Sequence, residues 1–108
     1  MKPLEGYRVL DLSNVLSGPF CGCQLAHLGA EVIKIEVPNR GDLARQLGLD
    51  VELNQKLMGA TFLAQNSGKR SITINLKSAE GVAVFKRLVK TADVIVENFR
   101  PGVMDRLG

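Results

Sequence analysis

Aromatic residues make up only 5% of this chain, and no stretch interleaves them with lysine and arginine. A surface that stacks bases along a cationic track needs both, which argues against a nucleic-acid partner. No apolar run approaches the roughly 20 residues that cross a bilayer. The first residues, Met1-Lys-Pro-Leu-Glu-Gly6, lack the apolar core and small-residue cleavage site of a secretory leader. No membrane association is expected, and the expected compartment is cytoplasmic. Cysteine is limited to Cys21 and Cys23, whose C-x-C spacing points them to opposite sides of a helix. That geometry suits neither a C-x-x-C redox pair nor chelation, and His27, the single histidine, has no further ligands beside it. No metal site is expected. Linkers rich in Pro or Ser, low-complexity tracts and solenoid repeats are also missing, so residues 1–108 read as one domain.

What is present is ordinary for a globular protein: 45% hydrophobic and 23% charged residues, with a net charge of +3. At 108 residues the core must be modest. So small a charge excess says little by itself, but its placement says more. Arg40, Arg45, Lys69, Arg70, Lys77, Arg100 and Arg106 fall at loops or element ends, where cations suit a bound phosphate. Lys86, Arg87 and Lys90 instead read as the solvated face of a helix.

Two apolar runs, Arg8-Val-Leu-Asp-Leu12 and Glu31-Val-Ile-Lys-Ile-Glu36, flank Ser17-Gly18-Pro19. The pattern predicts a strand, a helix and a returning parallel strand. Pro19 would take the first helical position behind a Ser17 or Gly18 cap, and Gly29 would supply the left-handed stop. The amides of that first turn would face the sheet edge, a position suited to a phosphate or carboxylate. Farther on, Val82, Phe85, Leu88 and Val89 form one stripe of a helix over residues 79–92, with Ser78 as its cap. A strand at Ser71–Asn75 and another at Asp93–Glu97, buried on both faces, would bracket it as a second βαβ unit. Shorter helices are expected at Leu43–Leu47 and Asn54–Gln65, and Val103 opens a last one. The fold class is α/β, with a Rossmann-like parallel sheet of four strands and flanking helices.

Three acidic residues invite functional readings. Glu36 closes the second strand and could hold a ribose, but the preceding glycines are spaced G-x-x-x-G and not the G-x-G-x-x-G of a pyrophosphate loop. Glu36 is then a strand-end carboxylate satisfied by a loop amide. Asp11 and Asp42 could be nucleophiles; each also has a plain backbone role, Asp11 in a tight loop and Asp42 as a helix cap.

The ordered set Leu4–Leu12, Ser17-Gly-Pro19, Leu28–Glu36, Gly41-Asp42, Lys69-Arg-Ser71 and Val96–Gly102 resembles the N-terminal part of the family III coenzyme A transferases. The resemblance implies a portion of a larger fold in which two interlocked rings form a homodimer. It implies transfer of coenzyme A from an acyl-CoA thioester to a carboxylic acid through an aspartyl intermediate, with that aspartate outside these residues. Coenzyme A is then a substrate, and no resident cofactor is expected. Carried over position by position, the coenzyme contacts are Leu16, Ser17 and Arg40, the run Ile74, Asn75, Leu76 and Lys77, then Asn98, Phe99 and Arg100, and finally Arg106. Members acting on formyl and oxalyl thioesters carry glutamine at the position of Leu16 and arginine at that of Val37, with Arg40 as the replacement cation. An acyl-CoA racemase shares Gly18–Gly22 and Arg100-x-Gly-Val-Met104, but the length between Asp42 and Lys69 favours transfer. A nucleotide-binding module without catalysis is the alternative of another class.

Overall fold

Short runs of Val, Ile and Leu, each ended by a polar or glycine turn, form four strands in the computed structural model, which describes residues 1–108. They are β1 (Arg8–Asp11), β2 (Glu31–Glu36), β3 (Arg70–Thr73) and β4 (Val94–Val96). The helices are α1 (Ser17–His27), α2 (Val51–Gln55), α3 (Ala60–Gln65), α4 (Ala79–Val89) and α5 (Val103–Leu107), with a 3₁₀ turn over Leu43–Gln46. All pairings are parallel and the strand order is β3-β2-β1-β4.

The second βαβ unit is present, as a wide crossover. β3 and β4 lie on opposite edges, so α4 carries the chain across β2 and β1 instead of joining neighbours. As an edge strand β4 is not buried on both faces: Val94 and Ile95 are 43% and 40% exposed. Ser78 caps α4 as expected, accepting from the Gly81 amide at 3.0 Å. The expected Asn54–Gln65 helix is two helices, broken where the Gly59 amide bonds Arg45 O at 2.8 Å.

The start of α1 also differs. Leu16 is its N-cap with no side-chain bond, and Pro19 sits third in the helix. Proline is tolerated there because first-turn amides have no intrahelical acceptor to lose. The G-x-x-x-G spacing has a packing cause. A Cβ on Gly18 would collide with the Ser13 side chain, and one on Gly22 would lie 2.7 Å from Asp11 Oδ2. The bare glycine face lets α1 rest directly on the end of β1.

Alternation along the strands gives the sheet two unlike faces. On one, Leu10, Leu12, Ile35 and Ile74 pack against Phe85, Leu88 and Val89 of α4 and Met104 of α5. On the other, Val9 and Val32 meet Leu25 and Ala26 of α1. Farther along that second face stand Asp11, Lys34 and Glu36, all buried. Each is paired, as a buried charge must be. Lys69 Nζ reaches Asp11 Oδ2 at 2.6 Å, and Lys34 Nζ reaches Asp42 Oδ2 at 2.8 Å. Glu36 accepts from Arg45 Nε and from its second terminal nitrogen at 2.7 Å each, from Ser71 Oγ, and from the Asp42 amide at 2.9 Å. The Arg45 guanidinium also lies 3.8 Å from the centre of the Phe62 ring. Arg45 and Lys69, expected as phosphate ligands, are therefore committed to the interior, and Arg70 pairs with Glu31 at 3.1 Å.

Burial alone would raise the Glu36 carboxyl, but the hydrogen bonds from Arg45, Ser71 and the Asp42 amide, with the Arg45 charge, hold its pKa down to about 2. Burial pulls the Lys69 ammonium below its ordinary pKa, against the opposing hydrogen bond and charge of Asp11. A depressed carboxylate stabilises the folded state fully above its unfolded pKa and loses that contribution as pH falls through the folded one. Stability should accordingly drop as pH falls from about 4.5 to about 2. Glu36→Gln should cost about 2 kcal/mol near neutral pH, by leaving Arg45 unpaired, and the gap should close towards the acid end. Thermal midpoints of both proteins across that range test this; a gap that stays constant with pH would contradict it.

Candidate functional site

The carboxyl ends of parallel strands are where open α/β sheets bind ligands, most often at the point where strand order reverses. Here that point lies between β1 and β4. It is bridged by protein: Asn98, just past β4, accepts from the Asn14 amide at 3.0 Å and donates its Nδ2 to Asn14 O at 2.9 Å. This tie between the two loops leaves the open space to one side, above the ends of β1, β2 and β3.

That space is a groove of about 350 Å³. Its floor is apolar, from Leu12, Ile35, Ile74 and Leu76, with Phe99, Val103 and Leu107 as a wall. Polar groups line its rim: Asn14 and Glu36 on one part, Arg40, Asn75 and Lys77 on another. A second concavity, about 480 Å³ and more open, adjoins it where Lys77 and Leu76 also face Ser78 and Arg106. A third, about 460 Å³, shares Asn14, Arg40 and Phe99 with the groove. Arg40, Lys77 and Arg106 form no ion pair, in contrast to Arg45, Lys69 and Arg70. An apolar trough flanked by unpaired cations suits a ligand with a flat apolar part and several phosphates.

The residues expected at the site separate into groups. Arg40, Ile74, Asn75, Leu76, Lys77 and Phe99 are brought together in the groove, and Arg106 joins Lys77 next door. Ile74 serves chiefly as core, 6% exposed. Asn98 stands beside the groove with its amide engaged on Asn14, and Arg100 is an exposed turn residue outside the groove lining. Leu16 and Ser17 are exposed at the start of α1, likewise outside that lining. Asn14, Pro38 and Leu107 are groove residues that the motifs did not single out, and Val103 entered only as part of a motif shared with racemases. For Asn14 a signal existed, since it follows β1 in the loop where α/β sites gather. Leu107 carried only the helical spacing of α5.

The acidic candidates are all engaged in the structure. Asp11 accepts from the Ser13 amide at 2.9 Å and from Lys69, and Asp42 accepts from the Val15 and Ala44 amides at 2.9 Å each. Both are fully buried. The cysteines diverge as their spacing predicts, Cys21 exposed and Cys23 buried with its Sγ 3.5 Å from His27 Nε2. No helix is long and apolar enough to cross a membrane.

Known proteins resemble this chain in sequence and in fold. The chain is 47% identical over 106 residues to a formyl-CoA:oxalate CoA-transferase of Escherichia coli and 42% identical over 106 residues to the succinyl-CoA–L-malate CoA-transferase beta subunit of Chloroflexus aurantiacus. Each alignment covers 98% of this chain and 25% of the relative, so the chain spans about a quarter of the length of the curated relatives it matches. A crystal structure of the hypothetical protein Rv3272 from Mycobacterium tuberculosis superposes with a TM-score of 0.87 at 44% identity, covering 100% of this chain and 28% of that one. The sequence pattern of CoA-transferase family III matches residues 4–108, nearly the whole chain and all of the groove-bearing sheet described above, and this chain belongs to that family.

Proposed function

We propose that the complete protein carrying this chain transfers coenzyme A from an acyl-CoA thioester to a carboxylic acid, and that residues 1–108 supply much of the coenzyme site. The observation that carries this reading is the apolar groove at the strand ends with Arg40, Lys77 and Arg106 unpaired along its borders. Coenzyme A combines an adenine ring with a pyrophosphate and a 3′-phosphate, so separate cations around an apolar trough match its chemistry. Phe99 and Leu76 offer apolar surface to the ring, and Arg40, Lys77 and Arg106 offer charge to the phosphates. The Asn75 side chain accepts from the Lys77 amide at 3.0 Å and so shapes the turn that presents Lys77.

The nucleophile belongs elsewhere on this reading. Asp11, Glu36 and Asp42 are each held by a cation and by backbone or hydroxyl donors, which leaves no free carboxylate at the groove. An aspartate outside these residues attacks the thioester carbonyl and the coenzyme thiolate leaves, forming a mixed anhydride. The thiolate then attacks the aspartyl carbonyl, releasing the first carboxylate and forming an aspartyl thioester. The acceptor carboxylate repeats the two steps in reverse, so the aspartate is regenerated and the acceptor leaves as its thioester. Covalent catalysis divides one difficult exchange into easier ones. The complete enzyme is a homodimer on the same reading.

Arg106→Ala and Lys77→Ala should each raise the KM for acyl-CoA about tenfold to a hundredfold, the usual effect of losing one charge-assisted contact. The KM for the acceptor carboxylate should change far less, and the penalty should shrink with a dephospho analogue for whichever residue meets the 3′-phosphate. An unaltered coenzyme KM in folded variants would make these residues plain surface charges. Isotope exchange between an acyl-CoA and its free acid should occur with the complete protein and not with residues 1–108 alone; exchange by the short chain would place the nucleophile within it.

A further inference from the structure

Val15 carries a backbone strain that the rest of its loop is built to hold. Its φ is +69°, a left-handed conformation that costs a β-branched residue more than almost any other. The Val15 amide donates to Asp42 Oδ1 at 2.9 Å, and the same oxygen receives the Ala44 amide at 2.9 Å. The other oxygen of Asp42 meets Lys34 Nζ at 2.8 Å, with both side chains essentially inaccessible. Lys34 Nζ also donates to Ser13 O at 3.0 Å. The loop after β1 is therefore tied at consecutive residues: Ser13 by Lys34, Asn14 by Asn98 and Val15 by Asp42.

We propose that Asp42, anchored by Lys34, is a positioning residue that holds the Val15 peptide left-handed and thereby sets Asn14 at the edge shared by the coenzyme groove and its neighbouring concavity. Asn14 lines both spaces, so the direction of the Val15 peptide decides where that edge lies. Asp42 touches no ligand on this account. Left-handed geometry disfavours a non-glycine residue by about tenfold, so without the Asp42 bond the loop holds its present shape only a minor part of the time. Apparent affinity falls by that same fraction. The inference rests on the coenzyme reading of the groove.

Paired substitutions avoid leaving a lone buried charge, which would unfold the protein for unrelated reasons. In the complete protein, Lys34→Met with Asp42→Asn removes both charges and keeps an acceptor for the Val15 amide, whereas Lys34→Met with Asp42→Ala removes the acceptor as well. With acetyl-CoA as the probe, the Ala pair should bind about tenfold more weakly than the Asn pair at matched fractions folded. Adding Val15→Gly to the Ala pair should recover most of that loss, because glycine enters the left-handed region without penalty. Equal Kd values for the two pairs, or no recovery with glycine, would overturn the proposal. Hydrogen exchange of the unaltered protein is a check that needs no variant. A Val15 amide slowed relative to a free amide supports the clamp, and one exchanging freely overturns it. Wild-type protein that fails to bind acetyl-CoA while its Val15 amide stays protected would instead overturn the coenzyme reading and leave the clamp standing.

Discussion

The buried layer of paired charges on the α1 side of the sheet is the constraint from which most of the arrangement follows. Asp11, Lys34 and Glu36 project from neighbouring strands into the buried interior, and each needs a partner from a distant part of the chain. Lys69 comes from the segment before β3, Asp42 and Arg45 from the turn after β2. Meeting those partners fixes the 3₁₀ turn, the approach of α3 and the position of the β1–α1 loop together. The energetic value of such pairs against an apolar alternative is small, but a wrong partner is severely penalised, so they select one arrangement among many.

Much of this was legible in the residues. The alternation of β1 and β2, the Ser78 cap, the apolar stripe of α4 and the Asp42 cap each follow from local chemistry, and local chemistry is what a sequence displays. The strand order was not legible, because nothing in Ser71–Asn75 or Asp93–Glu97 says which neighbour each strand joins. Nor was the fate of the cations. Arg45 and Lys69 look from the sequence like Lys77 and Arg106, and only the sheet reveals that Glu36 and Asp11 face the first two from the interior. The same limit applied to Asn98, whose tie to Asn14 spans 84 positions of the chain.

The glycine pair of α1 owes its spacing to packing. G-x-x-x-G is wrong for a pyrophosphate loop, and the reason for the glycines lies underneath the helix. Removing two Cβ atoms lets α1 sit on Ser13 and on the Asp11 carboxylate, which brings Pro19 O within 2.9 Å of Lys69 Nζ. The helix thereby contributes an acceptor to the charged layer. The open groove is left on the other side of the loop, where the strand ends and Phe99 enclose it.

The split of one sheet face into an apolar half and a charged half sets how the protein can drift over generations. Around Val9 and Val32, neighbours can repack after a change of volume, so a substitution there is answered by small shifts and can stand alone. Around Asp11, Lys34 and Glu36, a solitary change strands a buried ion without its partner. Those positions can change only in concert with Lys69, Asp42 and Arg45, which lie far away along the chain. Within a single layer of side chains, the unit of inheritance that selection can accept is therefore one residue at one end and a matched pair at the other.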